Sequence, residues 1–216
     1  MIKSVLIIGP GSIDGLGMEI AKVFGNKGFK ILTLSRNVEK LQKFKDSLAK
    51  ENIHNAYWVS DIKNKQAVNQ CLAEIIVLHD IELVVFNVSV RQPDDIVELS
   101  SEELLSSLET NATSVQNFIN PLVPHLKKNS GAIITTGGGL GINPDYHKAT
   151  LSIDKSVLRL ITFLLHDQLQ SVGVFVGTIT VSATIKRNTQ SNPAKIAPLY
   201  WEMFLNRKNK ELLFEG

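Results

Sequence analysis

The residues best suited to chemistry lie at the start of the chain. Val5-Leu6-Ile7-Ile8 runs straight into Gly9-Pro10-Gly11-Ser12-Ile13-Asp14-Gly15-Leu16-Gly17, and an amphipathic stretch follows at once. An aliphatic run, a glycine-rich bend and then a helical period give the order strand, tight turn, helix. Glycine reaches backbone angles closed to other residues and lets a ligand approach the main chain. Amides in the first turn of the next helix point into such a loop, and the helix dipole favours an anion there. The pyrophosphate of a dinucleotide suits this arrangement. Gly11, Gly15 and Gly17 fit G-x-x-x-G-x-G, not G-x-G-x-x-G. A plain structural turn fits the bare pattern too; the flanking strand and helix favour phosphate.

A loop of this kind needs a body to hold it. At 216 residues the chain is long enough for one well-filled domain. Its hydrophobic fraction of 44% and charged fraction of 20% are those of an ordinary globular protein. A net charge of +2 and the lack of a basic stripe with interleaved aromatics argue against a nucleic-acid partner. A small acidic or phosphorylated ligand stays compatible. Cys71 is the single cysteine, which excludes an internal disulfide and gives no metal-ligand spacing. It sits in a helical pattern and reads as a small packed residue sooner than a reactive thiol. No metal site is expected. The first apolar run is too short for a signal segment, and no uncharged stretch could span a bilayer. A cytoplasmic address with no membrane partner is therefore the default expectation.

Strand patterns fall over 3–8, 29–35, 56–60, 81–88, 131–136 and 173–181, with Gly137-Gly138-Gly139 breaking the fifth. Helical patterns fall over 15–27, 38–50, 65–78, 150–171 and 193–205. Another starts at Ser100 or Ser101 and runs through Asn111 toward residue 126, with Pro121 and Pro124 distorting or ending it. Leu83-Val84-Val85-Phe86 is apolar on both faces, as a central parallel strand must be. Strand and helix alternate without a linker or an internal repeat. This predicts an α/β fold: a single Rossmann-like, doubly wound domain over 1–216, its parallel sheet flanked by helices. Residues 182–216 read as a short substrate-lid or interface segment with no seventh strand. The cluster Tyr200, Trp201, Met203 and Phe204 reads as core or oligomer contact in preference to a substrate box.

Several motifs stand in a familiar order. They are the glycine loop; Leu34-Ser35-Arg36-Asn37; Asp61 after the third strand; Phe86-Asn87-Val88-Ser89; Asn111-Ala112-Thr113; and Leu151-Ser152-Ile153-Asp154-Lys155. On these the chain resembles the short-chain dehydrogenase/reductase family up to about residue 185. The resemblance implies an NAD(P)-binding domain with coenzyme contacts at Gly9, Gly11, Ser12, Gly15, Leu16, Gly17, Ser35, Arg36, Asp61, Ile62, Asn87, Val88 and Lys155. Asp61 would cap the adenine amino group; an N-cap for the next helix is its other reading. Asn111 and Lys155 would be the surviving catalytic positions, Asn111 kinking the long helix and anchoring a proton-relay water, or serving the kink alone. Lys155 would hold the nicotinamide ribose. The family also implies a homodimer or homotetramer through the helices near 101–120 and 150–170. Charge decides the coenzyme: Thr33-Leu34-Ser35 offers no carboxylate for a ribose 2′-hydroxyl, whereas the fork of Arg36 suits a 2′-phosphate. NADP is therefore expected over NAD, against a plain surface arginine.

The catalytic pattern departs from the family. Leu151 stands where the family carries its tyrosine, and the serine position falls on Gly138. Neither can move a proton. Tyr146 and His147 lie about one turn upstream as substitutes, with solvated loop residues as the plainer reading. The glycine triplet could present bare amides to a ligand oxygen, or be an ordinary loop. The resemblance thus implies an NADP(H)-binding oxidoreductase moving a hydride to or from a small carbonyl or alcohol substrate by an atypical centre. The alternative is a catalytically impaired nucleotide-binding or redox-sensing module acting through a protein partner.

Overall fold

The computed structural model describes residues 2–91 and 94–216. Its centre is a sheet of seven parallel strands: β1 (Lys3–Ile8), β2 (Lys30–Ser35), β3 (Asn55–Val59), β4 (Asp80–Phe86), β5 (Ala132–Gly138), β6 (Phe175–Val181) and β7 (Glu211–Phe214). Their order across the sheet is β3-β2-β1-β4-β5-β6-β7, so the winding direction reverses between β1 and β4. Strand side chains alternate between faces, and the core divides accordingly. Val5 and Ile7 join one cluster, Leu6 and Ile8 the other. The first face is covered by α1 (Leu16–Gly25), α2 (Val38–Lys50) and α7 (Pro193–Asn206). The second is covered by α3 (Lys65–Leu78), α5 (Gln116–Lys128) and α6 (Ala149–Leu169). Among the described residues no helix is long and apolar enough to cross a membrane. No cluster of three or more His, Cys, Asp or Glu there could hold a metal.

Four features differ from the sequence expectations. First, the kink expected at Asn111 is a full break, and the long helix splits into α4 (Ser101–Asn111) and α5. The break falls at Ala112, whose φ of −128° and ψ of −65° leave the helical region, and a 3-10 turn at Thr113–Val115 follows. Second, Pro121 and Pro124 lie inside α5 without ending it. Each removes a helical N–H, yet Phe118, Ile119, Leu122 and Leu126 are buried against the sheet and hold the helix down. Third, β5 runs on through Gly137 and Gly138, paired to Thr180 and Val181 of β6. A Cβ on Gly137 would press within 2.5 Å of the Thr180 hydroxyl, so close strand contact is what glycine provides there. Fourth, a seventh strand exists: β7 pairs with β6 from Thr178↔Glu211 to Val181↔Phe214. Its polar first residue is neutralised by Arg159, which donates to Glu211 at 2.8 and 2.6 Å, and by the Thr180 hydroxyl at 2.7 Å.

The tail packs as core. Tyr200, Met203 and Phe204 of α7 are buried. Phe24 of α1 meets Trp201 and Phe204 edge-on, with ring centroids 5.4 and 5.7 Å away, and Phe29 closes the group. Removing the ring at its centre leaves a cavity that its three aromatic neighbours cannot refill. Phe24→Ala should lower unfolding free energy by about 3–5 kcal/mol in urea titrations; a loss below about 1 kcal/mol would show that α7 does not depend on this contact.

Candidate functional site

The glycine loop lies at the carboxyl end of β1, beside the reversal in strand order, where open α/β sheets take their ligands. Gly9 and Gly11 have φ of +71° and +75°. A Cβ on Gly9 would lie 2.9 Å from Val88 Cγ2, while one on Gly11 would meet nothing within 4 Å. Gly17 packs directly beneath the Pro10 carbonyl, where a side chain would collide with the backbone. Gly15 is the N-cap of α1 and donates to Ser12 O at 3.0 Å; no side chain caps the helix. The amides of Leu16 and the residues after it therefore stay available to an anion. These features fit a dinucleotide pyrophosphate: a loop open at Gly11, close-packed at Gly9 and Gly17, and uncapped at the helix.

The next residues lie along the same sheet edge. Arg36 and Asp61 stand just past β2 and β3, with Nη1 and Oδ2 4.0 Å apart and both side chains largely exposed. The competing helix-cap readings fall to their neighbours. Asn37 caps α2 by accepting from Lys40 N, and Asn64 caps α3 by accepting from Ala67 N. Asp61 accepts from Lys63 N at 3.0 Å, which fixes its turn. Ser35 pairs its carbonyl with Ser60 N. Ile62 is buried, and its carbonyl accepts from Asn117.

A buried hydrogen-bond chain joins this loop to the middle of the sheet. Asn87 Nδ2 donates to Gly9 O at 2.9 Å, so its Oδ1 is the atom that accepts from Thr136 Oγ1, also at 2.9 Å. Thr136 has one proton to give. The hydroxyl of Tyr200, 2.7 Å away, must therefore be the donor to Thr136. Full burial pushes the Tyr200 phenol well above its usual pKa and keeps that proton in place. Lys155 lies next door and is 5% exposed; its Nζ donates to Thr136 O at 2.9 Å and to Val88 O at 3.4 Å. Burial, helped by the charge of Arg91, lowers its pKa to about 8, against the opposing pull of Asp154.

Lys155 forms part of the wall of a cavity of about 600 Å³ above the ends of β5 and β6. Gly137, Gly138 and Gly139 line it, together with Leu151, His147 and residues 181–185. The bare Gly138 has Lys155 Cγ 3.2 Å from where its Cβ would lie, a tight contact that a side chain there would relieve only by a small shift of the lysine stem. His147 reaches the cavity, with Nδ1 3.7 Å from Asp95 Oδ2. Tyr146 does not line the cavity; it is 64% exposed and its ring lies on that of His147.

Asn111 is turned elsewhere. Its Oδ1 accepts from Val90 N at 2.6 Å, and its Nδ2 donates to Val90 O at 3.0 Å and to Asp154 Oδ2 at 2.7 Å. It clamps the segment after β4 and does not border the cavity. Asp154 is fully buried, shares its Oδ2 with Ser107 and Asn111, and leaves Oδ1 without a partner; burial raises its pKa. The sequence reading did not single out Asp154, Arg91 or the Tyr200 hydroxyl. Asp154 carries the one legible signal, a carboxylate on the inward stripe one residue before Lys155.

The family model for short chain dehydrogenases matches residues 3–196. Proteins named inactive hydroxysteroid dehydrogenase-like protein 1, from Pongo abelii and Homo sapiens, are 27% and 26% identical over 173 residues. Each alignment covers 78% of this chain and 52% of the relative, so the chain spans about half the length of these proteins. The 2,3-dihydro-2,3-dihydroxybenzoate dehydrogenase of Bacillus subtilis is 25% identical over 208 residues, covering 95% of this chain and 76% of the enzyme. An NADPH-bound short chain oxidoreductase from Pseudomonas aeruginosa PAO1, described as containing an atypical catalytic center, superposes with a TM-score of 0.89. It shares 15% identity and covers 100% of this chain and 95% of its own. A metagenomic short-chain oxidoreductase in complex with NADP gives a TM-score of 0.85 at 18% identity, covering 99% and 96%. These two structures share the fold. The seven-stranded parallel sheet, the glycine loop at its winding reversal and a family match over 3–196 together make this chain a member of the short-chain dehydrogenase family of oxidoreductases.

Proposed function

We propose that this chain binds NADP(H) and moves a hydride between the nicotinamide and a small carbonyl or alcohol compound, with the proton handled by Lys155 in place of a tyrosine. One observation carries the reading. The Asn87-Val88 segment is held on one side by the glycine loop, through Gly9 O, and on the other by Lys155, through Val88 O. Coenzyme loop, lysine and cavity are thus one connected construction. The loop from Gly9 to Gly17, with Ser12 and the Leu16 amide, would take the pyrophosphate. Arg36, beside Ser35, would take the 2′-phosphate, and Asp61 with Ile62 the adenine. Asn87 and Val88 would border the ribose on the nicotinamide side. When bound, the coenzyme supplies or accepts the hydride. Lys155 uses two of its three N–H donors on Thr136 O and Val88 O, which leaves one for a ribose hydroxyl or a reacting oxygen. A group whose pKa is near 8 is suited to give and take protons near neutrality.

Coenzyme choice is tested by fluorescence titration with NADPH and NADH. NADPH should bind more tightly, and Arg36→Ala should weaken NADPH at least about tenfold while leaving NADH unchanged. Equal losses for both, or none, would remove the 2′-phosphate role. Absence of binding by either coenzyme would sink the reading.

Activity is tested with a panel of carbonyl compounds followed by NADPH oxidation across pH. Lys155 is the acid in reduction, so the rate should hold below its pKa and fall as pH rises through about 8. A pH dependence that His147→Gln abolishes would assign the proton to His147 instead. A second reading is favoured by one feature, the replacement of both proton-handling side chains by Leu151 and Gly138. In that reading the chain binds the coenzyme and acts through a protein partner. Turnover gained only in Leu151→Tyr, by about 10²-fold or more, would favour it over the enzyme.

The same proposal includes a homodimer or homotetramer. Leu160 and Leu164 of α6 are 59% and 61% exposed, and Leu164 borders a groove with Val123 and Pro124 of α5. Sedimentation should show a dimer or tetramer that Leu164→Glu dissociates; a monomeric wild type would refute it.

A further inference from the structure

The cavity at Lys155 carries an unbalanced charge. Among its described lining residues Arg91, Lys148 and Lys155 are basic, His147 is titratable, and none is acidic. The nearby carboxylates are engaged elsewhere. Asp145 pairs with Lys148 at 2.9 Å, and Asp95 stands 3.7 Å from His147. Asp94 accepts from the Thr150 amide and hydroxyl, and Asp154 faces Ser107 and Asn111. Among the described residues no carboxylate forms an ion pair with Arg91. Its charge presses on the Lys155 ammonium and helps hold that group below its ordinary pKa. Two cations facing one largely apolar space repel each other, and an anion entering between them relieves that repulsion.

The rest of the lining says what should carry the anion. Leu140, Leu151, Val181, Ala183 and Ile185 give the cavity an apolar body, with volume for more than a nicotinamide ring. A guanidinium presents a planar fork that matches a carboxylate in two parallel hydrogen bonds. We infer that the carbonyl compound taken by this site carries a carboxylate, bound by Arg91 at the cavity mouth, on an apolar body lying against Leu140, Leu151 and Ile185. The inference rests on reading this cavity as the carbonyl pocket. It makes Arg91 a specificity residue: the guanidinium selects charged compounds over neutral ones of the same shape, because a neutral analogue leaves the two cations unrelieved.

The experiment uses benzoate and benzamide, which share shape and differ in charge. Both are titrated calorimetrically into the protein at low ionic strength, with and without NADP+. Benzoate should bind at least about tenfold more tightly than benzamide. Arg91→Gln should erase that preference, Arg91→Lys should keep part of it, and benzamide should bind all three proteins alike. Arg91 is exposed, so melting curves of the variants should overlay the wild type. Equal binding of the two probes, no binding of either, or a benzoate preference that survives Arg91→Gln overturns the inference. An NADPH titration of the same sample separates the two proposals. Coenzyme binding without a benzoate preference defeats the carboxylate proposal alone. A preference dependent on Arg91 in protein that does not take NADPH defeats the coenzyme reading and leaves the anion site standing.

Discussion

The structure turns on one side chain, the Asn87 carboxamide. It occupies the point where the sheet reverses its winding, and beyond the last rungs of the strand ladder it ties the glycine loop, the end of β4 and β5 together. Its Nδ2 restrains the carbonyl of Gly9, and its Oδ1 takes the Thr136 proton. Thr136 in turn accepts from a tyrosine on the last helix. Every polar atom in that chain is satisfied inside the protein, and in a low-dielectric interior each bond strengthens the next. A buried network of this kind fixes geometry more than it adds stability, since removing one member leaves its partner unsatisfied. The outcome is a glycine loop whose backbone direction is set from behind, leaving its amides free in front.

This arrangement also explains why α7 belongs to the site though it never reaches the cavity. The Tyr200 hydroxyl is the only proton source that closes the chain at Thr136, and its ring sits in the same cluster that joins α7 to α1. The residues that grip Phe24 therefore help set the angle of the helix whose N-terminus faces the glycine loop. Arg187 makes a similar tie from the other side, reaching Asp14 at 2.9 Å and Glu19 at 3.3 Å. Packing by α7 and the placement of the α1 N-terminus beside the glycine loop are thus mechanically joined.

Much of this was legible in the residues themselves. The aliphatic runs of the first six strands and the amphipathic helices between them carry strong periodic signals, and their order dictates a parallel sheet. The glycine loop, Arg36, Asp61 and Asn87 fall where the pattern puts them, just past the carboxyl ends of the strands, and Lys155 reaches the same edge from α6. What escaped is what depends on distant partners. Glu211-Leu212-Leu213-Phe214 is short and starts with an acid, which makes a poor strand until Arg159, 52 positions earlier, neutralises it. The glycine triplet reads as a breaker because glycine lacks strand propensity. Its first two members continue β5 by pairing with Thr180 and Val181, and Thr178 and Thr180 crowd Gly137 too closely for a side chain. The role of Asn111 was hidden for the same reason: Val90 and Asp154 lie 21 and 43 positions away.

The loss of the serine and the tyrosine follows a coherent physical pattern. With Gly138 bare, the lysine stem lies flat on the strand and its ammonium drops onto the carbonyls of Thr136 and Val88. A side chain at 138 would make that stem give by a few tenths of an ångström, and Leu151 presents hydrocarbon to the cavity. Burying a lysine this deeply without a direct carboxylate partner depresses its pKa, which no exposed ammonium would undergo. The second polar network, Asp154 with Asn111 and Val90, stands one residue away and holds the segment that carries Arg91. Two cations thereby face one largely apolar chamber, Lys155 buried in its wall and Arg91 exposed. Such an arrangement is costly in an empty domain and reasonable in one that receives an anion. Gly138 and Leu151 leave the chamber wall apolar, so Arg91 and Lys155 supply the field by which it would select a charged substrate.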